Sequence, residues 1–64
     1  MKIILPDGSR RELKGQLDRI EDILKILEIN PVEVIVARNG RIVTEEEEAS
    51  EEDEIKIIRV VHGG

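Results

Sequence analysis

Few groups in this 64-residue chain could carry covalent chemistry. His62 is the single histidine, and there is no cysteine or tyrosine. A nucleophile–base pair would need Ser9 or Ser50 beside His62, and neither serine sits in a recognisable signature. One imidazole cannot hold zinc without further nitrogen or sulfur ligands. The carboxylates of residues 45–54 (EEEEASEEDE) lack the alternating spacing and central glycine of a calcium loop. No catalysis of its own is therefore expected. What remains is the end of the chain, His62-Gly63-Gly64. With glycine at about 7% of residues, a paired-glycine terminus arises by chance in roughly one chain in 200. Its functional group is the Gly64 carboxylate. Without Cβ, the tail can adopt φ values that other residues disfavour and can thread a narrow channel.

The elements that must hold this tail follow from the hydrophobic pattern. Lys2-Ile3-Ile4-Leu5, the turn Pro6-Asp7-Gly8-Ser9 and Arg10-Arg11-Glu12-Leu13 read as a hairpin. Leu17, Ile20, Ile23, Leu24 and Leu27 recur at helical spacing, which predicts a helix over 19–28. Asp18 is its expected cap, paired with Glu21, and Asn30-Pro31 its expected end. Val32 to Ala37 and Arg41-Ile42-Val43 flank Asn39-Gly40, the strongest short hairpin signal. Residues 45–54 read as a loop, with room for a single helical turn. Ile55 to Val61 is the last strand.

This order, β-β-α-β-β-β, fits an α+β domain of the β-grasp (ubiquitin-like) type: one mixed sheet crossed by one helix, with the last strand entering the middle parallel to the first. The expected domain covers 1–61, with a flexible tail over 62–64. In the last strand Ile58 and Val60 fall on the opposite parity to Ile55 and Ile57. Two readings are open. A bulge or strand end returns them to the core, or they form an exposed apolar patch for a partner on the face away from the helix.

Composition bounds the remainder. Without aromatics or disulfides, the core must come from Ile, Leu and Val. No apolar run approaches the ~20 residues of a membrane span. The short apolar N-terminus is unlike a secretory signal, so the expected location is the cytoplasm, without membrane contact. Net charge is −5, but residues 45–54 hold eight of the fifteen acidic groups and leave a formal +3 elsewhere. The acidic run is either a solvated face or a docking surface for a basic partner. Arg10, Arg11 and Lys14 form a small basic cluster, yet no aromatic side chain is present to stack on a base. Direct nucleic-acid binding is not expected.

Over most of its length, and best from Asn30 onward, the sequence resembles the ThiS/MoaD family of sulfur carriers, with the archaeal small modifiers and ubiquitin-related modifiers allied to it. The resemblance rests on Asn39-Gly40-Arg41-Ile42-Val43, Asp53-Glu54-Ile55-Lys56-Ile57 and the terminal Gly63-Gly64. Glu52 stands where that family usually has a glycine, so the turn before the last strand is expected to differ. The His62-Gly63-Gly64 ending looks closer to the tRNA-thiolation and modifier branch than to thiamine-type carriers, which often end in three glycines. The resemblance implies a co-substrate. An E1-like adenylating enzyme activates Gly64 using its own ATP and Mg²⁺, a persulfide donor supplies sulfur, and a sulfur-accepting enzyme takes it for thiouridine, thiamine or molybdopterin. It implies no cofactor or metal bound by the chain itself. Two alternatives remain: conjugation of the activated terminus to lysines, and a docking module with an inert tail. Ile58, Val60 and His62 are the expected partner-binding residues.

Overall fold

The turn at Pro6-Asp7-Gly8-Ser9 sets the first element. In a computed structural model describing residues 1–14 and 17–60, β1 (Lys2–Ile4) and β2 (Arg10–Glu12) pair antiparallel around it. Gly8 takes φ 88°, where a side chain would be strained. The Asp7 carboxylate accepts from the Ser9 hydroxyl at 2.6 Å and the Ser9 backbone N–H at 2.8 Å. These bonds, the hydroxyl's first, hold the Asp7 carboxyl below its ordinary range.

The second hairpin joins β4 (Val34–Arg38) to β5 (Arg41–Val43). Asn39 and Gly40 both have positive φ, 52° and 83°, as a type I′ turn demands. The last strand, β7 (Glu54–Arg59), lies between the hairpins, parallel to β1 and antiparallel to β4. The sheet order is β2-β1-β7-β4-β5. Ile3, Ile55 and Ile57 point from the two central strands to one face and are fully buried there, against Ile20, Ile23 and Leu24 of α1 (Ile20–Ile26). No polar or charged residue is buried among those described.

The helix is shorter than its apolar spacing predicts. Leu17, Asp18 and Arg19 form a strand, β3 (Leu17–Arg19), paired with β6 (Glu48–Ser50) inside the acidic stretch. Asp18 is thus opposite Ala49 and caps nothing. Arg19 is the N-cap residue and makes no side-chain cap bond. Backbone carbonyls of the acidic stretch cap the helix instead: Ile20 N–H donates to Glu47 O and Glu21 N–H to Glu45 O, both at 2.9 Å. Two of the unpaired amides of the first turn are thereby satisfied. Ala49, alone among eight carboxylates and a serine in that run, is fully buried and anchors it.

The helix end also departs from expectation. Ile29 N–H donates to Leu24 O and Glu28 N–H to Lys25 O, with Glu28 at φ 58°. This is a Schellman ending with glutamate in the left-handed position that usually takes glycine. Asn30 begins the next element. Its side chain accepts from Val32 N–H and caps a 3-10 turn, Pro31–Glu33, so β4 starts at Val34 and not at Val32.

At the start of β7 a polar clamp ties two loops together. Asn39 donates to Asp53 through Nδ2 and accepts from Glu54 N–H through Oδ1, each at 2.9 Å. Asp53 also accepts from Ser50 N–H at 2.8 Å. The Ser50 amide first, then Asn39, with the Arg38 guanidinium adding, hold the Asp53 carboxyl below its ordinary value.

Two outcomes are expected. Leu24→Ala should cost about 2–5 kcal/mol in chemical denaturation, as buried leucine truncations do, against the roughly 3–5 kcal/mol one small core supplies. An unchanged melting temperature would mean that the wrong helix face has been assigned to the core. Asp53 should add acid sensitivity. A carboxyl depressed in the folded state contributes stability that is complete above its unfolded value, near 3.8, and lost as pH falls through the folded one. Wild type should therefore lose stability below that pH more steeply than Asp53→Ala. Parallel curves would contradict the clamp.

Candidate functional site

The last residues follow the central strand of the sheet, which is paired on both sides. Val60, the last residue described, is half-buried, and its N–H donates to Glu33 O at 2.8 Å, fixing the point from which the terminal residues depart. His62, Gly63 and Gly64 lie outside the described residues.

The parity of β7 divides its side chains cleanly. Ile55 and Ile57 are buried against the helix, whereas Ile58 is 43% exposed. No bulge interrupts its pairing with β4, where Ile58 sits opposite Ile35, itself 39% exposed. A neighbouring row crosses four strands: Ile42, Ala37, Lys56 and Ile4, each paired with the next. Cross-strand partners share a face. The face away from the helix therefore carries Ile58 and Ile35 near the tail root, and Ile42, 76% exposed, at the β5 edge, around a central exposed lysine.

Ile58 is exposed on this face, whereas Val60 follows the end of β7, is half-buried and has no partner in the register. Ile35 and Ile42 were not singled out from the sequence, although the register joins them to the same surface. The signal for Ile35 was present: Val32–Ala37 is apolar on both parities, so a strand there must expose one set. On the helix side of the same end, Leu5, Leu27, Ile29 and Val34 line an open cleft with Arg11 and Arg59.

The acidic stretch meets this surface at its start, where Glu45 lines an open cleft with Val34, Ile35 and Ile42. It ends at Glu54, where β7 begins, six residues or about 20 Å of strand from Val60. Arg38 lies against it, donating to Glu48 O and approaching Glu47 Oε1 at 3.8 Å. Among the described residues no group of His, Asp and Glu is placed to hold a metal ion. No described helix is long and apolar enough to cross a membrane.

A central parallel strand, two flanking hairpins and a crossing helix define a β-grasp protein. The crystal structure of the thiamine biosynthesis protein ThiS from Geobacter metallireducens has the same fold, with a TM-score of 0.70 and 17% identity over the whole of both chains. A model of the ThiS family matches residues 5–64, and the chain belongs to that family. It is also 29% identical, over the full length of both, to the sulfur carrier protein TtuB of Thermus thermophilus.

If Ile58 serves a surface and not the core, Ile58→Asp should keep the native circular dichroism and lose no more than about 1 kcal/mol, the span of strand propensities. Loss of cooperative unfolding in that variant would place Ile58 in the core.

Proposed function

We propose that this chain is a sulfur carrier that works as a co-substrate through its Gly64 carboxylate. A carboxylate is a poor electrophile. An E1-like partner would join it to AMP from MgATP, releasing pyrophosphate. The outer sulfur of a persulfide would displace AMP, and a second thiol, closing a disulfide with the donor, would free the thiocarboxylate. A sulfur-accepting enzyme then consumes it. ATP and Mg²⁺ belong to the partner, whose reaction places the carrier in the cytoplasm. The observation that carries this reading is the family match, which runs to Gly64 itself.

Transfer RNA thiolation is the favoured destination, on the His62-Gly63-Gly64 ending, and the full-length likeness to the sulfur carrier protein TtuB supports the carrier role itself. Thiamine and molybdopterin synthesis come next. The same ending also suits conjugation of the activated terminus to a lysine.

The activating enzyme would dock on the open sheet face through Ile58 and Val60, with His62 entering its channel. From Val60, four residues reach at most about 14 Å to Gly64. An enzyme that holds Gly64 in its ATP site must therefore grip near this strand, where Ile58 and Ile35 offer apolar surface worth about 25 cal/mol per Å² before ordering costs. The acidic stretch would act by steering a basic partner, an effect that salt screens.

With a cognate adenylating enzyme, MgATP and a sulfur donor, the intact mass should rise by about 16 Da, one oxygen replaced by sulfur (compare persulfide chemistry). Deleting Gly64 should abolish the change, and its persistence would refute the assignment. Ile58→Asp should slow adenylation, measured as pyrophosphate release, while remaining folded. An inert wild-type tail with a verified partner would favour a docking module.

A further inference from the structure

The Asn39-Gly40 pair has so far served the turn and the clamp at the start of β7, yet it is also a reactive dipeptide. A side-chain amide followed by glycine is open to attack by the next backbone nitrogen, because no Cβ blocks the approach. Both residues are exposed. Asn39 is nevertheless held at both polar atoms of its amide: Nδ2 donates to Asp53 and Oδ1 accepts from Glu54 N–H, each at 2.9 Å. Its own N–H donates to Glu54 O at 2.8 Å. Asp53 is held in turn by Ser50 N–H.

We propose that Asn39 is a latent self-modification site, kept unreacted by the Asp53–Glu54 clamp, and that its conversion to a carboxylate uncouples the β4–β5 hairpin from the acidic stretch. When the clamp opens, the Gly40 nitrogen gives its proton to a base in solvent and attacks Asn39 Cγ. The N–Cγ bond forms, the Cγ–Nδ2 bond breaks, and Nδ2 leaves as ammonia after taking up a proton. Water then opens the resulting five-membered imide at either carbonyl, giving aspartate or isoaspartate. No electrons are transferred. The product has lost the donor that Asp53 accepts from and has set a second carboxylate beside it. Isoaspartate also adds a backbone atom to a two-residue turn that fixes strand register.

The test follows the peptide 34–45, released from the whole chain by cleavage after glutamate, for a gain of about 1 Da, the amide-to-acid difference. Folded wild type should react at least about tenfold more slowly than wild type in urea, the factor that one or two such hydrogen bonds supply. Folded Asp53→Ala, which keeps the Glu54 N–H bond to Oδ1, should react faster than folded wild type and more slowly than the chain in urea. Equal rates for folded and unfolded wild type overturn the proposal, as does a folded Asp53→Ala that reacts as slowly as wild type. Should Asp53→Ala fail to fold, Asp53→Asn replaces it, with a rate between the two extremes expected and the wild-type rate overturning. Asn39→Asp supplies the second readout. Asp-Gly suits a type I′ turn as well as Asn-Gly, so a lower melting temperature at neutral pH reports the lost clamp. A melting temperature equal to wild type's refutes the uncoupling.

Discussion

β7 is hydrogen-bonded on both sides, to β1 in parallel and to β4 antiparallel, and this double pairing is what the remainder of the molecule is built around. Neither partner hairpin could form a sheet with the other without it. Its two inward isoleucines, Ile55 and Ile57, fill the centre of a core that has no aromatic side chain to draw on. Because β7 comes last in sequence and pairs with the first strand, the central contacts close only when nearly the whole chain is present. Such non-local pairing slows folding relative to a helical domain of equal size. It also means that the terminal residues follow a central strand and not an edge strand.

The two faces of the sheet are put to different uses. One face takes the helix and accounts for stability. The other keeps Ile35, Ile42 and Ile58 in solvent, an arrangement that contributes nothing to folding and is costly in solubility unless something covers it. Lys56 interrupts this face at its middle, and the exposed Arg10, Arg11 and Glu12 guard the β2 edge. Both devices oppose indiscriminate sheet-to-sheet association. A surface that is apolar near the tail and interrupted by charge further away suits a reversible grip, which a carrier passing between enzymes needs.

The legible parts of the fold were those in which one residue type satisfies one local requirement. Gly8 and Asn39-Gly40 announced their turns because positive φ admits few residues, whereas the alternation in β7 set Ile58 on the opposite parity to Ile57 but left a bulge open until the unbroken register with β4 excluded it. The illegible parts were those in which backbone met backbone. Leu17 continues the helical stripe by spacing, yet the extended pairing of Leu17–Arg19 with Glu48–Ser50 overrides it. Nothing in a run of glutamates signals β6 except Ala49. Glu28 ends the helix in a conformation for which glycine is the usual sign, so the stop was read two residues late, at Asn30. Of the candidate site, Ile58 was reachable as a candidate from strand parity, while Ile35 and Ile42 needed the register that joins three strands.

The capping of the helix by the carbonyls of Glu45 and Glu47 has a consequence for how this surface can change. A side-chain cap binds the identity of a residue to the integrity of a helix. A carbonyl cap does not, since every residue supplies one. The glutamate at 45 can therefore be exchanged for a neutral or basic residue while the first turn keeps its partner, whereas the Glu47 carboxylate also accepts from Thr44 N–H and faces Arg38. The charge at this one position is thereby decoupled from the architecture beneath it, and the surface potential beside the helix can be retuned there by a substitution that leaves the sheet and the helix as they are.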